Sequence, residues 1–203
     1  MKKQQQTIAS LPRRFGAYLL DWYIGALFTS FPIAIVSQKV YGTMKNQNLL
    51  KYPHQLGLIC GLCALLGATI YYVVIPLVVN KGQTIGKRIC HIKIVKSDGQ
   101  DVGLKELLLR EVLGAIVIEG VLYSASTILH QVLQIGLGIS LVKPMMYVGF
   151  VITIVSAILC LVNKKEHLAL HDYLARTKVV DFFLNRGNRF HCLKINKSLY
   201  YEL

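Results

Sequence analysis

Two acidic residues stand where a carboxylate is expensive. Asp21 lies in an apolar run that starts at Phe15, Glu119 in one that starts at Val112, and neither run holds a second acid. A charged side chain deep in a membrane helix costs a few kcal/mol unless it is paired, protonated or facing water. Each acid is therefore either a proton or cation site or half of a structural contact. For Asp21 the structural partner is Arg14, seven residues earlier and about 10 Å along the same helix face, or another basic residue. Glu119 has no basic residue within a turn, so its structural alternative is a hydrogen bond to Tyr, Ser or Thr on a neighbouring span.

His171-Asp172 follows the last apolar run among Lys164, Lys165 and Arg176. It reads first as a lock between the helix ends and the basic stretch that carries Lys87 and Arg88, with a proton relay as the alternative. Gly82-Gln-Thr-Ile-Gly86-Lys87-Arg88 invites comparison with a phosphate loop. Its glycine spacing is one residue short and Arg88 replaces the Mg²⁺-binding Ser/Thr, so turn-forming glycines beside lipid phosphates are the better account. Cys60 and Cys63 share a helix face in an uncharged run and read as packing residues before a redox or metal pair. His91, His130, His167, His171 and His191 lack metal-ligand spacing, and no Ser/His/Asp or Cys/His nucleophile set is defensible. No enzyme, cofactor or metal is expected.

The elements that must position these residues are membrane helices. Of 203 residues 54% are hydrophobic and only 16% charged, too apolar for an average soluble domain. Spans are expected at about 15–36, 56–79, 112–129 and 144–162, each near the ~20 residues that a ~30 Å hydrocarbon core requires. Pro32 should kink the first, and Gly57, Gly61, Ala64 and Ala68 give the second a face for close helix approach. Five cysteines, three of them inside apolar runs, imply no disulfide framework. The early Arg13-Arg14 resembles a signal, but the run after it contains Asp21 and lacks a cleavage site, so it reads as a retained span.

The formal net charge of +13 lies in blocks beside the apolar runs, a pattern that fits anionic headgroups and not nucleic acid. Placing Asn80–Glu111 and everything after Asn163 on the cytoplasmic side satisfies the positive-inside rule, with both termini cytoplasmic. Between spans two and three, Ile92 and Ile94 alternate with Lys93 ahead of Asp98-Gly99. This predicts a short hairpin, then an amphipathic interfacial helix from Leu104 with a Glu106/Arg110 pair. Thr177–Val180 reads as a second strand able to pair with 92–95. The fold class is thus all-α membrane, a four-helix bundle over 1–181 with a basic cytoplasmic tail at 182–203.

Three patterns together resemble the RDD family of bacterial membrane proteins, whose name denotes one arginine and two aspartates. They are Arg14-Phe-Gly-Ala17-Tyr-Leu-Leu-Asp21; Gly82-Gln-Thr-Ile-Gly86-Lys87-Arg88 continuing to Leu-Leu-Leu-Arg110; and His171-Asp172-Tyr-Leu-Ala-Arg-Thr177-Lys-Val-Val180, spread over about 13–181. The resemblance implies that Arg14, Asp21 and Asp172 are the three eponymous residues, in a helical bundle of the bacterial cell membrane. Some relatives are associated with cation/proton antiport. Glu119 belongs to no pattern of that family.

The expected function is proton-coupled transport of a small cation or solute, with Asp21 and Glu119 titrating and Arg14 tuning Asp21. The alternative is a non-catalytic scaffold that binds a partner protein or anionic lipid through its basic face. Four short spans leave little interior, so a homodimer or a partner membrane subunit is plausible for either.

Overall fold

Helix α1 (Leu11–Tyr41) shows how a membrane helix is written. Its buried positions are Ala17, Asp21, Gly25, Thr29, Ile33 and Ser37, one every fourth residue, almost all small or polar. Phe15, Tyr23, Leu27 and Phe31 on its other faces are more than half exposed. Large apolar side chains outward and small ones inward is the arrangement lipid favours, since hydrocarbon does not penalise exposed Phe and close approach needs small residues. The helix outruns the expected span at both ends: Pro12 suits its first turn, and nothing stops it before Gly42, whose left-handed φ of +68° ends it. The structure is a computed structural model that describes residues 7–120 and 123–182; most of the basic tail expected at 182–203 lies outside the described residues.

Helix α2 (His54–Val79) packs its buried Gly57, Gly61, Ala64 and Ala68 toward α5 and Leu49, with Gly61 directly against Val132. From Ile70 it winds wider, into π-type turns. Pro76 offers no N–H to the ladder, and the exit bonds run from Asn80 N–H to the Ile75 carbonyl. A short helix α3 (Ile85–Ile89), capped by the Thr84 hydroxyl, leads into strand β1 (Ile92–Lys96).

Strand β1 pairs antiparallel with β2 (Thr177–Asp181), in a register setting Ile92 opposite Asp181 and Lys96 opposite Thr177. The expected local hairpin is corrected: the Asp98-Gly99 turn closes only an isolated bridge, Val95 to Asp101. The strand's real partner arrives some eighty residues later, because Val179 and Val180 can bury against Ile94 and Val95 whereas the polar 97–101 segment cannot.

Helix α4 (Leu104–Glu119) is π-wound from Leu108, and its axis lies at 67° to α5 (Ser124–Leu137). The stretch expected as one continuous span at 112–129 is therefore divided between two helices. Gly120, left-handed at φ +33°, ends the first piece immediately after Glu119. The expected interfacial helix is also revised, since 104–111 forms the opening turns of α4 with Arg110 and Glu111 buried. Glu106 caps the Gly103 N–H and pairs with Lys96 at 3.3 Å, not with Arg110. Helix α6 (Val142–Val162) and the short α7 (Leu170–Ala175) complete the chain before β2.

Helices α1, α2 and α6 are each long and apolar enough to cross a membrane, and α4 with α5 makes a fourth crossing if the bent pair is one span. Beneath one end of the bundle the sheet closes a core of Ala9, Ile92, Ile94, Val102 and Val179 against Ala17, Val73 and Leu107.

Candidate functional site: a buried chain of charges

Asp21 is almost fully enclosed, at 2% exposure. Tyr71 Oη donates to its Oδ1 at 2.6 Å and the Gly86 N–H donates to the same oxygen at 2.9 Å. Thr84 Oγ1 at 2.6 Å and Lys87 Nζ at 2.9 Å both donate to Oδ2. Tyr72 Oη donates to the Asp21 main-chain carbonyl at 3.0 Å. The glycine-rich segment is thus a clamp for a carboxylate and not a phosphate loop. Thr84 caps α3, which turns the Gly86 amide inward, and the absence of a side chain on Gly86 lets α3 approach α1. A Cβ there would lie 2.6 Å from Asp21 Oδ1 and 2.7 Å from the Ala17 carbonyl.

The chain of charges continues from Lys87, 4.0 Å from Glu111, through Arg110, whose Nε donates to Glu111 at 3.1 Å. Arg110 is the hub. Its Nη1 holds Asp172 through a short ion pair and donates to Thr177 Oγ1 at 2.9 Å, while Nη2 meets His171 Nε2 at 3.2 Å. A buried guanidinium serves this place because its planar fork reaches several acceptors at once. Burial opposes the ionisation of Asp172, but the charges of Arg110, His171 and Arg14 outweigh it and hold the carboxyl down at about 2.

The last link is looser. His171 Nδ1 lies 2.9 and 3.0 Å from the two oxygens of Glu119, the His171 main-chain N–H donates to Oε1 at 2.9 Å, and Ser156 Oγ donates at 2.8 Å. Among the described residues no lysine or arginine pairs with Glu119, unlike Asp21, Glu111 and Asp172. These groups line one cavity of about 390 Å³ bounded by α1, α4, α6 and α7.

Arg14 does not tune Asp21 directly. Its Nη1 donates to the His167 carbonyl and its Nη2 lies 3.8 Å from Asp172 Oδ2. Shared helix face had suggested the Asp21 contact, but seven residues separate the two and Lys87 reaches Asp21 from α3. Lys87 and Arg88 also part company: Arg88 donates to Asn80 Oδ1 at 2.6 Å on the exposed side, as neighbouring helical residues must face apart. Cys60 is buried and Cys63 exposed, and among the described residues no His, Cys, Asp and Glu group is arranged to hold a metal ion. Sequence reasoning did not offer Tyr71, Thr84, Glu111 or Ser156 as site residues, took Gly86 only for a turn and read Arg110 only as the partner of Glu106. The available signal was the adjacent Arg110-Glu111 at the start of a hydrophobic segment, where two charges of opposite sign are most cheaply buried together.

Comparison with known proteins places these residues in context. The model of the RDD family matches residues 8–176, which takes in Arg14, Asp21, Arg110 and Asp172. The uncharacterized protein YckC of Bacillus subtilis (strain 168) is 26% identical over 166 residues, covering 82% of this chain and 80% of that protein. No solved structure matches the chain.

Proposed function

This chain belongs to the RDD family, and on that premise we propose that it is a multi-pass membrane protein performing proton-coupled transport of a small cation or solute. The observation that carries the reading is the cavity among α1, α4, α6 and α7, into which both acids and bases project from apolar helices. Ionisable groups gathered around a space inside a membrane bundle are the usual furniture of a proton or ion path. In this reading Glu119 and His171 exchange the proton, while Asp21 with Lys87, and Asp172 with Arg110 and Arg14, hold the helices at their working spacing. The bent α4–α5 pair counts as one crossing, giving four spans with both termini cytoplasmic, and anionic headgroups meet the basic end. The protein is a transporter in this account and not an enzyme.

The test is dye-reported proton movement in everted vesicles on adding Na⁺, K⁺, Li⁺ or tetraethylammonium, comparing native protein with Glu119→Gln. The native protein should respond and the variant should lose most of the response. No response above empty-vector vesicles with any of these solutes ends the proposal.

A further inference from the structure

Charge counting inside the cavity leads further. Its walls carry three permanent cations, Arg14, Lys87 and Arg110, against four carboxylates, Asp21, Glu111, Glu119 and Asp172, plus the imidazole of His171. With His171 protonated the set is neutral; with His171 neutral one negative charge is left over. That charge belongs to Glu119, since Asp21 has Lys87, Glu111 has Arg110 and Asp172 has Arg14 as well as a share of Arg110. The deprotonated cavity is therefore short of one monovalent cation.

The shape and chemistry of the space indicate which kind of cation. About 390 Å³ falls in the range of cavities that enclose small organic ligands and is far larger than a desolvated alkali ion needs. Much of the wall is apolar, supplied by Leu11, Phe15, Ala157 and Leu161. Tyr18 and Tyr123, with centroids 5.9 Å apart and planes at 88°, contribute two aromatic surfaces beside Glu119 and Glu111. A carboxylate flanked by aromatic rings and aliphatic walls suits an alkylated ammonium, which cation–π attraction and hydrophobic burial both favour. Phe15 and Leu161 are 62% and 61% exposed, so the cavity reaches the outer surface of the bundle between α1 and α6, where a lipophilic cation would arrive.

We propose that the cavity binds one amphipathic organic cation, with its charge on Glu119 and its alkyl groups against Tyr18, Tyr123 and Phe15, in exchange for the proton of His171. The groups facing His171 fit this exchange. From α4 come Glu119, which takes the Nδ1 hydrogen bond, and Arg110, whose Nη2 donates to Nε2 when the ring is neutral; from α6 comes Ser156, which shares Glu119. Asp172, 3.9 Å from Nε2 on its own helix, is bound by Arg110 and faced by Arg14 of α1. A proton on Nε2 sets donor against donor at Arg110, so the protonated and neutral rings require different arrangements there.

The inference rests on reading this cavity as a transport site, and a binding measurement separates the two. Full-length protein in nanodiscs is titrated calorimetrically with benzyltriethylammonium at pH 8 and pH 5.5, with NaCl and KCl as comparators. Saturable one-to-one binding is expected at pH 8, at least tenfold weaker at pH 5.5. Glu119→Gln should weaken it at least tenfold at pH 8, His171→Gln should abolish the pH dependence, and Tyr18→Leu should weaken it roughly 3–30-fold. Tyr18→Leu leaves the ion pairs intact, so it decides the matter if the charge variants fail to fold. Absence of saturable ammonium binding to the native protein, or affinity unchanged in Glu119→Gln and Tyr18→Leu, overturns the inference. Binding without vesicle proton movement would sink transport and leave the site standing; sodium-driven proton movement without ammonium binding would do the reverse.

Discussion

Replacing Gly86 by alanine sets a methyl group where the structure has no space for one. The new carbon would lie 2.6 Å from Asp21 Oδ1, 2.9 Å from Asp21 Cγ and 2.7 Å from the Ala17 carbonyl oxygen. The carboxylate is held by four donors and the carbonyl belongs to α1, so neither can retreat cheaply. Helix α3 must move outward instead, lengthening the 2.9 Å bond from the Gly86 N–H. Overpacking of this kind costs about 1–3 kcal/mol, and losing a hydrogen bond to a charged acceptor about 1.5–3 kcal/mol more. The total, roughly 2.5–6 kcal/mol, corresponds to a melting shift of about 5–24 °C for a chain of this size. Gly136→Ala is the control, because a Cβ there meets nothing within 4 Å, and a helical Gly→Ala change away from contacts is neutral or gains up to about 1 kcal/mol. Thermal unfolding of both variants in the same detergent, followed by size-exclusion fluorescence, makes the comparison. A Gly86→Ala melting temperature within about 2 °C of Gly136→Ala would refute the close clamp of α3 on α1.

Other outcomes follow from the same geometry. Lys87→Met leaves the Asp21 carboxylate buried without a cation and should cost about 3 kcal/mol; combined with Asp21→Asn the loss should fall at least 1 kcal/mol short of the two single losses added, as a double-mutant melting cycle would read. Asp172, held at about 2 in the folded protein against an ordinary value near 3.8, stabilises the fold fully above the unfolded value. The contribution, of order 2 kcal/mol, is lost as pH falls from about 4 toward 2, so native protein should lose stability in that window and Asp172→Asn should show a flatter profile in pH-resolved melts. Arg110→Lys cannot reach Asp172, Thr177, Glu111 and His171 together and should destabilise by about 2–4 kcal/mol, with a conserved-charge variant melting well below native in the same assay.

Much of the fold could be read from the sequence because lipid imposes a coarse code. Three of the four expected apolar runs are single helices of membrane length, and the pairing of 177–180 with 92–95 was visible in their alternating Val, Ile and Lys. The break in the third run was not. Gly120 is an ordinary small residue on paper, and only its left-handed backbone next to a carboxylate fixed by His171 and Ser156 turns it into a helix end. Partner choice was similarly hidden. Asp21 and Arg14 share a face in one dimension, whereas Lys87 reaches Asp21 because Thr84 caps a five-residue helix that no periodicity announces.

The distribution of partners also separates two jobs that the sequence ran together. Asp21 was a candidate for titration because a buried acid is costly, and Asp172 only as the alternative to a structural lock, yet Asp21 is met by a lysine and three other donors and Asp172 by two arginines. A carboxylate with a permanent cation in a low-dielectric site has little reason to trade that cation for another. Glu119 differs from both, because among the described residues its charged partner is the imidazole of His171 and not a lysine or arginine. If Arg14, Asp21 and Asp172 fix the spacing of α1, α3, α4 and α7, then mutating them tests folding. Mutating Glu119 or His171, which lie at the loose end of the network, tests what the cavity does.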